Sequence, residues 1–411
     1  NEKTGKLQEA SWEEAFAYIA HRLQNVRGDE IAGLVGDLAD VESIVALKDW
    51  LSKMGSPHMD CRTDGSRFDV SNRAGYLFNS TIAGIDQADA IMLVGTNPRW
   101  EGTLVNARIL RNTQERKLHV GYVGPAVDLT YSYHPAGESF QDFERMVAAY
   151  KGKVKAERPM MIVGSGIFQR EDGMAIHQAL YEAAQDLGMI KDSWNGFNVL
   201  HRAASRVGAL DVGFVPQQGG KDFAGIIDGT RTGAIRALYL LGADEFDARA
   251  QIGWKTFVIY QGHHGDQGAA RADVILPGAA YTEKDGIYVN TEGRPQLARR
   301  ASSPPGEARE DWKILRALSD YLGGRLPYDT PAQLRERIVA AWPHLGKFDE
   351  IAPAAWGPFG EKGPISGDPL VLPIADFYQT NAICRASNTM KQCSATLLTD
   401  STSYAIAEAA E

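Results

Sequence analysis

A chain of 411 residues, 44% hydrophobic and 23% charged, has the make-up of a globular protein and the length for two or three domains. Its net charge of −9, with no long basic run, argues against a nucleic-acid-binding face. No apolar run approaches the ~20 residues that a membrane-spanning helix needs.

The chain opens NEKTGKLQ, without an apolar signal segment, and reads as a piece whose upstream part is missing. SWEEAFAYIAHRLQ follows as a helix, with Ser11 as N-cap, Glu14 completing a capping box and Trp12, Phe16, Ile19 and Leu23 on one face. A second helix, VESIVALKDWLSKMG, stops at Gly55. Six short apolar runs end in glycine: IAGLVG (31–36), AIMLVG (90–95), HVGYVG (119–124), MMIVGSG (160–166), ALYLLG (237–242) and TFVIYQG (256–262). Such runs fit parallel strands buried on both faces. Helical stretches such as GMAIHQALYEAAQDLG and REDWKILRALSDYLGG alternate with them, which predicts an α/β architecture of open parallel sheets.

QADAIMLVGTNPRWEG is echoed faintly by GAIRALYLLGADEFDA, which predicts two related, doubly wound subdomains. The expected division is an opening helical region over 1–24, a first subdomain over 25–160, a second over 161–270, a closing strand–turn element with helices over 271–340, and a C-terminal extension over 341–411. ARRASSPPGEARED (298–311) reads as a surface linker, and the tail over 399–411 as mobile.

Candidate chemistry is sparse. No P-loop and no full G-x-G-x-x-G occurs; GSG at 164–166 is only part of one. GTNPRWEGTLVNARIL (95–110) is a strand-end glycine turn opening a helix, a form that offers N–H groups to an anion. Gly95 and Gly242 are expected at strand ends, with Asn97 and Pro98 shaping the first turn. Arg99 is the residue placed to hold a phosphate there, and Trp100 the one placed to fill the space instead. In QGHHGDQGA (261–269), Gly262, His263, His264 and Asp266 invite a metal reading, but a hydrogen-bonded loop explains them as well because neighbouring side chains diverge. ILPGAAYTEKDGIYVNTEGRPQ (275–296) places Glu283, Lys284 and Asp285 before a short strand and Asn290, Glu292 and Arg294 around Gly293. No catalytic triad is placeable. Cys61, Cys384 and Cys393 are too few and too scattered for a disulfide framework or an iron–sulfur cluster, and read as buried, inert thiols in a reducing compartment.

LPGAAYTEK with G-x-YVNTEGR-x-Q, together with the GTNP turn, resembles the molybdopterin oxidoreductase fold. NSTIAGIDQADAIMLVGTNPRWEGTLVNARI, IYQGHHGDQGAARADVILPGAAYTEK, EDWKILRALS and DFYQTNAICRASNTMKQC are similar to one branch of that fold, the large iron–sulfur subunit of respiratory complex I, the NADH:quinone oxidoreductase. The resemblance covers nearly the whole chain. It implies iron–sulfur clusters in a region upstream of this one, no cofactor here, and a pterin cradle reduced to a vestige at Gly95, Asn97, Arg99, Gly262 and His263. It further implies peripheral-arm subunits of complex I as partners, no direct membrane span, and a place on the cytoplasmic face of a bacterial inner membrane or the matrix side in mitochondria. The alternative is a catalytically active molybdopterin-dependent oxidoreductase. There, Cys61 or Ser66 of HMDCRTDGSRFD (58–69) would bind the metal, and Gly95–Asn97, His263–Asp266 and Asn290–Arg294 would line the pterin.

Overall fold

The computed structural model describes residues 6–116, 118–151 and 155–398. The tail over 399–411 lies outside the described residues. Among the described residues fourteen strands are numbered in chain order: β1 Ile31–Val35, β2 His58–Asp60, β3 Ala90–Val94, β4 His119–Val123, β5 His134–Gly137, β6 Pro159–Gly164, β7 Ile190–Lys191, β8 Trp194–Asn195, β9 Phe197–Leu200, β10 Ala237–Leu241, β11 Phe257–Gly262, β12 Val274–Pro277, β13 Gly286–Val289 and β14 Pro295–Ala298.

Ten of them form two five-stranded, all-parallel sheets. One has the order β12-β11-β10-β1-β2 and the other β5-β4-β3-β6-β9. Position by position the sheets correspond. The glycines after β3 and β10 both adopt left-handed backbone, Gly95 at φ +56° and Gly242 at φ +58°. The strands beside them, β4 and β11, each carry a tyrosine two residues before a glycine, Tyr122–Gly124 and Tyr260–Gly262. In both, the tyrosine hydroxyl folds back beside that glycine.

Two related parallel-sheet subdomains are therefore present, but the expected boundaries are wrong. A cut at 160/161 would split β6, which pairs with β3 along its length. The 31–60 segment, expected in the first subdomain, instead joins β10 through Ile31↔Ala237 to Val35↔Leu241. One sheet is thus assembled from 31–60 and 237–277, with the other, 90–200, inserted between. Strand apolarity reports burial and says nothing about which buried strand is the neighbour, so sequence order is a poor guide to spatial order here.

Alternation along each strand builds the core. Tyr239 and Leu241 of β10, like Met92 and Val94 of β3, face one large apolar cluster shared by both sheets. The helix Val41–Met54 adds Ile44, Leu47, Trp50 and Leu51 to it. Leu238 and Leu240 face a separate cluster with Ile226 and Ile227, and Ile91 and Leu93 face another with Val105 and Ile109. Each sheet is covered on both faces.

The hairpin β13–β14 bolts the halves together. Ile287 N donates to Glu42 Oε2 at 2.7 Å on the first half, and Phe78 N donates to Thr291 O at 2.8 Å. Thr291 Oγ1 donates to the Val199 carbonyl at 2.9 Å, on the other half. No helix among the described residues is long and apolar enough to cross a membrane.

Candidate functional site

The carboxyl ends of parallel strands are where ligands settle in open α/β sheets. Here both sheets send theirs into one crevice, and the chain's own carboxylates occupy the donor positions. After β3, Asn97 N donates to Glu101 Oε1 at 2.6 Å and Thr96 Oγ1 donates to the same oxygen at 3.1 Å. After β1 and β10, Asp37 N and Asp244 N converge on the two oxygens of Glu245 at 2.8 and 2.9 Å. A third carboxylate, Asp244, takes Gly268 N at 2.8 Å at the start of the helix Gln267–Arg271. Backbone N–H groups that would cradle an anion are already bonded to carboxyl oxygens of the chain itself. Burial pushes the Glu101 carboxyl up to about 7, and burial together with Asp37 pushes Glu245 up to about 8.

Close to Gly95 and Gly166 space is taken as well. A Cβ on Gly95 would lie 2.0 Å from Ile167 Cγ2 and 3.5 Å from Leu370 Cδ1. Gly166 abuts the Val371 carbonyl and Pro373, so the GSG of 164–166 answers to close chain packing and not to a phosphate. Trp100 lines the crevice under its cover and packs against Phe377, with ring centroids 6.2 Å apart. Residues 370–394 run over the crevice mouth; Arg385 fastens them by Nε to Asp266 Oδ2 at 2.6 Å and Nη2 to the Asp244 carbonyl at 3.0 Å.

Deeper in the crevice lie buried charges. Arg206 Nη2 sits 3.1 Å from Asp64 Oδ1, with both side chains 2% exposed. Against the opposing effect of burial, Arg206 holds the Asp64 carboxyl down at about 2. Arg62 pairs with Asp60 at 2.9 Å, and Arg202 lies 3.8 Å from Asp37. Among the described residues, Ser165 Oγ, His201 Nδ1 and Arg202 Nε are buried without a hydrogen-bond partner.

The sequence-derived candidates scatter. Gly95 and Asn97 sit at the crevice. Arg99 does not: it pairs with Asp128 on the surface and donates to that residue's carbonyl at 3.3 Å. Arg99→Ala is therefore expected to change stability by no more than about 1 kcal/mol, the ceiling for an exposed ion pair; a drop in thermal midpoint as large as that of a core truncation would contradict this. Gly262 is faced by the Tyr260 hydroxyl, which donates to Asp244 Oδ2 at 2.6 Å. His263 and His264 hydrogen-bond each other, Nδ1 to Nδ1 at 2.6 Å, and burial lowers the His263 imidazole to about 4. Among the described residues no group of three His, Cys, Asp or Glu side chains is arranged to hold a metal ion.

Cys61 is buried, and burial raises its thiol to about 12. Asn290 Oδ1 accepts from Glu292 N and Arg294 N, at 3.1 and 3.0 Å, and Glu292 Oε1 accepts from Ile82 N at 2.6 Å, so this turn is a structural tie. Glu283 Oε2 accepts from Ala280 N and Asp285 Oδ1 from Arg300 N. Sequence reasoning missed Glu101, Glu245, Ile167 and Arg385. A glutamate a few residues beyond the strand-end glycine in both halves, GTNPRWE and GADE, was the available signal.

Two like parallel sheets meeting at their carboxyl ends define the class, and the chain belongs to the molybdopterin oxidoreductase family, whose model matches residues 2–321. A second family model, for the C-terminal part of an NADH-ubiquinone oxidoreductase subunit, matches residues 350–393, the stretch that includes most of the crevice cover. The chain is 42% identical over 412 residues to the mitochondrial 78 kDa subunit of NADH-ubiquinone oxidoreductase from Neurospora crassa, covering 96% of this chain and 54% of that one. It is 40% identical over 402 residues to the mitochondrial NADH dehydrogenase [ubiquinone] iron-sulfur protein 1 from Solanum tuberosum, covering 96% and 53%. The chain thus spans about half the length of the curated relatives it matches. A chain of the formyltransferase/hydrolase complex of Methylorubrum extorquens shares the fold, with TM-score 0.55 and 17% identity over 81% of this chain and 99% of that one.

A pterin dinucleotide does not fit this crevice as it stands. Its phosphates would meet N–H groups already bonded to Glu101 and Glu245, and the approach to Gly95 is closed by Ile167.

Proposed function

We propose that this chain forms the cofactor-free body of the large iron–sulfur subunit of respiratory complex I. The assembly as a whole carries electrons from NADH to quinone, coupled to proton translocation; this region braces the cluster-bearing part and the neighbouring peripheral-arm subunits. It works beside the membrane, on the bacterial cytoplasmic or mitochondrial matrix side. The relatives' names support the assembly. One observation carries the cofactor-free role: internal carboxylates, Glu101 and Glu245, hold the backbone donors of both strand-end turns.

The test is elemental analysis of the intact purified complex by mass spectrometry. Molybdenum and tungsten are expected far below one atom per copy of this chain, and Cys61→Ser is expected to leave NADH:quinone turnover near the parent value. Close to one molybdenum or tungsten per chain, or a collapse of turnover in a folded Cys61→Ser complex, would overturn the reading.

A further inference from the structure

The cover over the crevice is bonded mainly to itself. Within 374–394, Ser394 Oγ donates to Asp376 Oδ2 at 2.6 Å, Cys384 N to Asn381 Oδ1 at 3.0 Å and Arg385 Nη1 to the Gln379 carbonyl at 3.1 Å. Among the described residues its polar links to the body run through Arg385, and Ala382 is its one buried side chain. The chain just before it is held differently. Leu370 is buried, Leu370 N donates to the Glu138 carbonyl at 2.7 Å, and Arg170 donates to the Asp368 carbonyl at 2.8 Å. Beneath the cover lies a cavity of about 310 Å³, lined below by Asp37, Trp100, Glu101 and Arg202 and above by Phe377 and Cys384. A smaller one of about 20 Å³ lies under Ala382, beside Gly242 and Glu245. Segments with few buried contacts open locally at low free energy.

We propose that residues 374–394 are a hinged lid that opens as one unit about Pro373, and that its opening is set by the charge of the crevice floor. This holds whether or not the crevice ever carried a cofactor. The floor has more carboxylates than cations. Glu101 faces Arg202, the Asn97 N–H and the Thr96 hydroxyl. Glu245 faces Asp37, Asp244 and the Thr63 hydroxyl, and Asp37 in turn faces Arg202, Arg206, Asp64 and Arg385. Closed, burial keeps protons on the floor, with Glu101 up at about 7 and Glu245 at about 8; opened to bulk water, both fall back towards the ordinary carboxylate range. A carboxyl whose pKa is raised in the closed form stabilises closure at low pH. That stabilisation is lost as pH rises from the ordinary value through the raised one. The lid therefore opens more as pH climbs.

Hydrogen exchange of the amides over 377–393, in the full-length subunit within its native assembly, tests this. After correction for intrinsic exchange, opening is expected to rise at least about tenfold between pH 6 and pH 8, since each group's shift exceeds one unit. Arg385→Ala is expected to increase opening at both pH values with the ratio kept. Glu101→Gln combined with Glu245→Gln is expected to bring the ratio near one. The lid is refuted by protection equal to that of β11, or by a ratio near one in the parent protein. A folded double-glutamine variant that keeps the full ratio refutes the coupling. Should that variant not fold, the parent and Arg385→Ala ratios still decide.

Discussion

Lys284→Met should lower stability by about 3–5 kcal/mol, the cost of stripping the partner from buried charges. Lys284 Nζ lies 2.6 Å from Asp40 Oδ2 and also pairs with Asp311, and the three side chains are 6%, 1% and 6% exposed. They come from three distant segments: the N-cap of the helix Val41–Met54, the approach to β13, and the helix Asp311–Tyr321. Burial alone would push the Asp40 carboxyl up; Lys284 outweighs it and holds that carboxyl below its ordinary value. Without the lysine, two carboxylates stay buried with no cation between them. The contribution of a lowered carboxyl is present above its unfolded pKa and lost as pH falls through the folded one. The deficit of the variant should therefore be largest near neutral pH and shrink as pH falls towards about 4 and below, where the stranded carboxyls take up protons. Thermal midpoints of parent and variant across that range check it, and Asp311→Asn on the Lys284→Met background should recover part of the loss. A loss under about 1 kcal/mol at pH 7 would mean that Lys284 does not compensate the two buried carboxylates.

The two corresponding glycines give a second large effect through contrast. Gly242→Ala meets nothing within 4 Å at φ +58°, so only the left-handed penalty of about 1–2 kcal/mol applies. Gly95→Ala carries the same penalty at φ +56° and drives its methyl to 2.0 Å from Ile167 Cγ2, adding about 1–3 kcal/mol of overpacking. Unfolding measurements should rank Gly95→Ala as clearly the worse. Adding Ile167→Ala to Gly95→Ala should cost less than the two singles together, because the clash vanishes. Equal costs at 95 and 242, or strict additivity at 95 and 167, would show that the cradle is not filled by Ile167.

Much of this was legible in the chain. Gly-terminated apolar runs located β1, β3, β4, β6, β10 and β11, because a buried parallel strand must be apolar on both faces and must turn where it ends. The likeness of the 90–95 and 237–242 runs marked the related sheets. Pairing was not legible: nothing in IAGLVG says that its neighbour is ALYLLG and not AIMLVG. The crevice was half legible for a similar reason. Gly95 and Asn97 announce a turn, but whether its N–H groups face a ligand or Glu101 depends on one side chain's direction. Arg99 misleads because an arginine near such a turn is equally served by a surface aspartate, here Asp128. Lys284 stood in the most distinctive stretch of all, yet its partners lie far away in the chain.

The split of one sheet around the other sets a timetable for synthesis. The 90–200 sheet is written in one stretch and can assemble soon after its last strand is made. Strand β1, by contrast, has β2 on one side and must wait about two hundred residues for Ala237 and its followers on the other. Contacts closed over so long a loop form late, and the waiting edge is a template for wrong pairing. During that interval Ile31–Val35 is the part of the nascent chain most in need of shelter, so holding factors should dwell on it longest while ribosomes translate 60–237.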